Sequence, residues 1–252
     1  MNFGSIALRI RNVTKHYGGI HALDRCSLDI LPKRITSIIG PNGSGKTTLF
    51  DAITHIINVD GGRITLNNKN ITQVNDYDVA RSGVSRTFQQ VRLFKNLTIK
   101  DHMEIALGFD DELLFKSVFK IFLKAKDYDL KKINSTLELV GLDKPLDTYA
   151  SDLSYGQRKL LDLAIAIVKP HTILLLDEPV AGVNPKLRRD IMEIIKKLKN
   201  SGETVVLIEH DMNFVMGLAD KIFVMEAGRV IASGKPADIQ NNRKVLEAYL
   251  GG

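Results

Sequence analysis

Only one cysteine, Cys26, occurs in the 252-residue chain, so no internal disulfide can form and the usage fits a reducing compartment. No apolar run approaches the roughly 20 residues that cross a bilayer. The opening stretch, Met1 to Val13, lacks the apolar centre of a secretory signal. The expectation is a cytoplasmic chain whose work at any membrane goes through a partner. Internal repeats, low-complexity segments and long disordered linkers are also missing, which excludes solenoids and flexible tethers. What is present is an ordinary globular composition: 44% hydrophobic residues supply a core for one large domain or a core with a lobe. A net charge of +6 suits an anionic ligand, an anionic membrane surface or nucleic acid, and equally a merely soluble surface.

Along the chain, residues 5 to 40 read as short strands, "IALRIRNVTKHY", "CSLDI" and "RITSIIG", separated by Gly18-Gly19 and Leu31-Pro32. "GGRITLNNKNIT" reads as a hairpin around Asn67-Asn68. From about Asp101 to Gly141 the period becomes helical: Leu130, Ile133, Leu137 and Val140 share one face, and Gly141 stands as a C-terminal cap. Phe115, Phe119 and Phe122 also fall at helical spacing and read as the core of this lobe, with a groove for a partner helix as the alternative. Beyond Leu153 helices and strands alternate: helix 156–168, strand 172–176, helix 185–200, strand 204–208, helix 211–218, then the hairpin "KIFVMEAGRVIASG". Such alternation implies parallel βαβ units, and the early hairpins imply an added antiparallel sheet. The expected fold is therefore α/β: a P-loop core with a mostly parallel sheet (1–88 and 161–252), an antiparallel β subdomain, and an inserted helical subdomain at 89–160.

"GPNGSGKTT", comprising Gly40, Pro41, Asn42, Gly43, Ser44, Gly45, Lys46, Thr47 and Thr48, fits the P-loop pattern between an apolar strand and a helix. Its glycines let backbone N–H groups turn onto phosphate oxygens, and the helix N-terminus adds about half a positive charge. Lys46 is expected to reach the β- and γ-phosphates of ATP, and the Thr47 hydroxyl to bind Mg²⁺. A purely structural turn would not need Lys and Thr in register. Asp177 ends the apolar run Ile173 to Leu176, so it emerges at the carboxyl edge of a strand, where ligands of open α/β sheets bind. There Asp177 serves Mg²⁺ and Glu178 polarises the attacking water.

The order P-loop, "SRTFQQ", "LSYGQ", "LLLDEP" and "VVLIEH" resembles that of ATP-binding-cassette ATPases over nearly the whole chain. The resemblance implies that two such domains sandwich ATP head to tail. Ser154, Gly156 and Gln157 of "LSYGQ" would then face the nucleotide held by the partner's P-loop. It likewise implies that Gln89 senses Mg²⁺ and the attacking water, that His210 contacts the γ-phosphate, and that Tyr17 stacks on adenine. Three departures stand out: Tyr155 where many relatives have glycine, Asn184 where Asp is usual, and Ile165 where arginine is common. Asn184 before Pro185 also reads as a helix N-cap.

"RTFQQVRLF", "YGQ", "AGVNP", "IEHDMNFVM" and the terminal "YLG" resemble the ATPase subunits of branched-chain amino acid importers; lipopolysaccharide-export and urea-import ATPases share some of these features, including the ending. That branch implies integral membrane permease subunits as partners and a second ATPase subunit, a heterodimer being favoured over a homodimer, at the cytoplasmic face of the cell membrane. A soluble cassette ATPase acting on DNA or ribosomes would use the basic charge. Such relatives usually carry coiled-coil insertions or two cassettes, whereas this sequence has one P-loop and no heptad run, so no direct nucleic-acid contact is expected. A small-molecule P-loop kinase would leave "LSYGQ" and His210 without a task.

Overall fold

The computed structural model describes residues 6–74, 79, 81–87, 93–107 and 120–250, without the side chains of 120–128 and 249–250. The chain divides into two compact units, one of Met1–Arg86, His171–Val180 and Ile195–Gly252, the other of Thr87–Pro170 and Ala181–Ile194.

The first unit contains two sheets. Strands β1 (Leu8–Tyr17), β2 (Ile20–Ile30), β4 (Gly61–Leu66) and β5 (Lys69–Asn70) form a four-stranded antiparallel sheet in the order β2-β1-β4-β5. Asn67 and Asn68 both have positive φ, 44° and 66°, as a two-residue primed turn between β4 and β5 requires. A six-stranded sheet runs β10-β9-β3-β8-β7-β6, with β3 (Ile35–Ile39), β6 (Val84–Arg86), β7 (Ile173–Asp177), β8 (Val205–Ile208), β9 (Lys221–Glu226) and β10 (Arg229–Gly234). Every neighbouring pair is parallel except β10 with β9. Strands β3, β7 and β8 are buried along their whole length, the expected state of strands covered on both faces. Helix α1 (Lys46–Ile53) contributes Leu49, Phe50 and Ile53 to a core that also takes Leu8, Ile10 and Ile30 from one sheet and Leu175, Val206 and Met225 from the other.

The second unit is built on α2 (Ile99–Leu107), α3 (Lys120–Val140) and α4 (Tyr155–Val168), which pack on one another. Ile133, Leu137 and Val140 are buried on α3, and Leu130 is half-buried. Gly141, at φ 70°, ends that helix: its N–H donates to Glu138 O (3.0 Å) and Leu142 N–H to Leu137 O (3.0 Å). This is the Schellman pattern, with Leu142 and Leu137 both buried beneath it.

The unit runs further than the 89–160 read from the sequence. Helix α4 buries Leu160, Leu161, Leu163 and Ala164 and packs on α2 and α3, so it stays whole in this unit to Pro170. Helix α5 (Pro185–Asn200) belongs to this unit as far as Ile194 and to the first unit from Ile195. The chain ends with α6 (Met212–Leu218), α7 (Pro236–Gln240) and α8 (Arg243–Leu250). Phe115 and Phe119, and the side chain of Phe122, lie outside the described residues.

Candidate nucleotide-binding and hydrolysis site

Strand β3 delivers the glycine-rich loop from the middle of the parallel sheet, and α1 begins at Lys46. Two glycines are sterically required. A Cβ on Gly40 would lie 2.1 Å from Met225 O, and one on Gly45, at φ 97°, would lie 2.3 Å from Ala22 O. The neighbouring strands therefore press the loop into a tight arc. Across that arc the buried Lys46 Nζ donates to Gly40 O (2.9 Å), Pro41 O (2.8 Å) and Ser44 Oγ (3.3 Å). Burial pulls the Lys46 ammonium below its ordinary range, and the charges of Glu178 and Asp177 pull it back up. Thr47 is exposed in the first turn of α1, where its hydroxyl is accessible to a ligand.

Asp177 closes β7 and is 1% exposed. Its Oδ2 accepts from Arg86 Nη2 (2.9 Å), while Arg86 Nη1 reaches Asp51 Oδ1 (2.6 Å) and Thr54 Oγ1 (3.2 Å) on α1. Burial pushes the Asp177 carboxyl up, and the hydrogen bond and charge of Arg86 oppose it. An exposed hydroxyl on the P-loop helix and a carboxylate at a strand end are oxygen donors of the kind that suit Mg²⁺ beside substrate phosphates and water.

Glu178 has φ 48°, an uncommon conformation for a residue with a Cβ, held by its N–H donating to Ile208 O (3.0 Å). Its Oε1 lies 3.0 Å from His210 Nε2. Lys46, Thr47, Asp177, Glu178 and His210 all belong to the first unit, and Glu178 and His210 are in direct contact there. Tyr17 stands half-exposed at the end of β1 with Lys15 Nζ 5.4 Å from its ring centroid. Gln89 lies outside the described residues.

In the second unit Ser154 is the N-cap of α4: its Oγ accepts from Gln157 N (3.3 Å), and Gln157 Oε1 accepts from Ser154 N (2.9 Å). The Gln157 side chain thus closes a capping box, while the Ser154 side chain stays at the surface. A Cβ on Gly156 would lie 2.7 Å from Leu187 Cδ2. Tyr155 OH donates to Ala181 O (3.1 Å), tying the signature turn to the segment before α5. Asn184 Oδ1 accepts from Leu187 N (2.9 Å), so it caps α5.

Two residues escaped the reading of the sequence. Arg86 was visible only as a cation beside "TFQ", and its partners are 35 and 91 positions away. Glu209, 3% exposed, follows the buried strand β8 as Asp177 ends β7, a signal that was present but overshadowed by His210. Its Oε1 accepts from Val180 N (3.0 Å) and its Oε2 from His210 N (3.2 Å). Burial pushes the Glu209 carboxyl up, against the backbone N–H groups of Val180, His210 and Asp211.

Comparison with known proteins agrees with this geometry. Residues 23–181 match the family model described as "ABC transporter", and residues 229–252 match one described as "Branched-chain amino acid ATP-binding cassette transporter". The LivG high-affinity branched-chain amino acid transport ATP-binding protein of Salmonella typhimurium is 39% identical, with 97% of each chain covered. The BraF protein of Pseudomonas aeruginosa, which carries the same description, is 38% identical over 97% of each chain. Among solved structures, the ADP conformation of MJ1267, an ATP-binding cassette of an ABC transporter, superposes with a TM-score of 0.81 at 33% identity, covering 98% of this chain and 99% of that one. The dimeric cassette MJ0796 gives 0.78 at 26% identity, covering 91% and 98%.

Proposed function

The chain belongs to the ABC transporter family, and from that membership we propose that it is the ATP-hydrolysing subunit of a branched-chain amino acid importer. The observation that carries the cargo assignment is the 38–39% identity, over 97% of each chain, to branched-chain amino acid transport ATP-binding proteins, with residues 229–252 matching the model described for such transporters. The chain works at the cytoplasmic face of the membrane through separate permease subunits, and no helix among the described residues is long and apolar enough to cross a bilayer itself.

Backbone N–H groups of the loop and the first turn of α1 bind the phosphates, and Lys46 moves from the loop carbonyls to the β- and γ-phosphates. Thr47 and Asp177 would hold Mg²⁺, which would supply neutralisation of the phosphate charge. Glu178 accepts a proton from the attacking water, and His210, 3.0 Å from its carboxylate, holds it in orientation. The family resemblance gives Gln89 the sensing of the metal and of the attacking water. Tyr17 packs on adenine. Ser154 and the Gly156 N–H present an anion-binding turn to the nucleotide on a second ATPase subunit, a related chain rather than an identical copy. Catalysis is thus charge stabilisation and water positioning without a covalent enzyme intermediate.

The test is uptake of labelled leucine by vesicles containing the chain with its membrane subunits. ATP-driven uptake that unlabelled isoleucine and valine compete away is the expected result. ATP hydrolysis without uptake of any of the three would overturn the cargo.

A further inference from the structure

We propose that Arg86 is the positioning residue for the magnesium site, setting the orientation of Asp177 relative to the helix that carries Thr47. The inference rests on the metal ligands assigned above. The Arg86 side chain is 6% exposed and its guanidinium joins two elements at once. One end donates to Asp177 Oδ2 at 2.9 Å; the other donates to Asp51 Oδ1 at 2.6 Å and Thr54 Oγ1 at 3.2 Å. The guanidinium carbon also lies 5.4 Å from the Phe50 ring centroid. Phe50, Asp51 and Thr54 all belong to α1 or its C-cap, the helix whose first turn presents Thr47.

A guanidinium is a planar fork with fixed angles between its donors, so anchoring one end on α1 sets the direction of the other. Fixing Oδ2 of a carboxylate fixes its plane, and with it the line along which the second oxygen meets a cation or its water. Arg86 therefore transmits the position of one metal-binding element to the other. The charges fit the same role: Asp51, Arg86 and Asp177 together carry one net negative charge, which attracts a divalent cation while Arg86 offsets the repulsion between the half-buried Asp51 and the buried Asp177. Arg86 is also the last residue of β6, from which the chain continues to Gln89. A lysine at this position would keep the charge and lose the fork.

The experiment is a Mg²⁺ titration of fluorescent ATP-analogue binding to the full chain, with a parallel measurement in excess chelator. Outer-shell partners of metal ligands typically contribute 10- to 100-fold in metal affinity, so Arg86→Lys is expected to raise the Mg²⁺ midpoint by about 10-fold or more. Binding of metal-free nucleotide should stay at the parental level. Asp51→Asn, which loosens the anchor while keeping the Arg86–Asp177 pair, should shift the midpoint in the same direction by less. These two replacements are chosen because Arg86→Ala would leave the buried Asp177 carboxylate without its cation and endanger folding.

A folded Arg86→Lys protein with the parental Mg²⁺ midpoint would overturn the role of Arg86 alone. So would an equal loss of binding with and without Mg²⁺, since that is the signature of general damage. A parental protein whose nucleotide binding ignores Mg²⁺ would overturn the metal assignment itself, and this inference with it.

Discussion

Glu209 illustrates how a buried residue can govern a site without touching the substrate. Its two carboxylate oxygens hold the N–H groups of Val180 and His210, which flank the Glu178–His210 pair on either side. Glu209→Ala leaves the buried Val180 donor without that acceptor, at a cost of about 1–3 kcal/mol in stability. Freed of this constraint, His210 no longer orients Glu178, and kcat should fall by up to about 10²-fold, the scale of a roughly 1 Å misplacement. Glu209→Gln, which keeps one acceptor, should fall between the two. Steady-state hydrolysis set beside ATP binding decides the matter: the affinity should hold while kcat drops, and parallel losses would contradict the positioning role. The contrast with Lys46 shows what a sequence discloses at this scale. Lys46 and Thr47 announce themselves because the chemistry of a P-loop is contiguous, so spacing alone sets their geometry. Glu209 and Arg86 act on groups that only folding brings near, and nothing local marks a glutamate after a strand as an acceptor for Val180.

At the scale of elements, the signals that were legible are those with a local physical cause. Pro185 at the start of α5, the paired asparagines of the β4–β5 turn and the Gly141 cap each fix backbone angles that few other residues tolerate. Strand β2 was less visible: the reading "CSLDI" covers only part of Ile20–Ile30, because the ladder with β1 is interrupted by register shifts and Arg25 adopts φ 49°. Such irregularities break the two-residue alternation from which strands are recognised. Strand β6, Val84–Arg86, and helix α7, Pro236–Gln240, are too short to show a period at all.

Helix α4 carries an unusual acid. Asp162 is half-buried and its carboxyl is pushed up to about 7, burial being the main cause and Lys159 the opposing one. An acid raised in the folded state favours folding fully only below its unfolded value, near 4, and that contribution is lost as pH climbs through about 7. Asp162→Asn is neutral throughout. After solvent screening of a partly exposed side chain, roughly 1–2 kcal/mol should be recovered at pH 8, raising Tm by ~2–8 °C. At pH 4 the two proteins should melt together. Thermal scans across that range would contradict the assignment if the gap were the same at both ends.

For the whole molecule, the signature turn poses the decisive question. Ser154 and Tyr155 are exposed, and the turn has its capping box complete within the chain, so its surface-facing groups are available to a second chain. If nucleotide bridges two subunits, blocking hydrolysis should trap the bridge. Glu178→Gln removes the proposed proton acceptor and should slow hydrolysis by roughly 10²- to 10⁴-fold, while ATP binding at the loop should persist. Light scattering after gel filtration would then give the mass of this variant with and without ATP. Doubling on ATP addition shows that Ser154 of one copy serves the nucleotide of another and that the chain pairs with itself. A monomer that retains ATP points to an obligate, different ATPase subunit. In that case adding Ser154→Arg to this chain should abolish hydrolysis at the partner's P-loop and spare nucleotide binding at its own, since the introduced side chain obstructs only the site the turn faces.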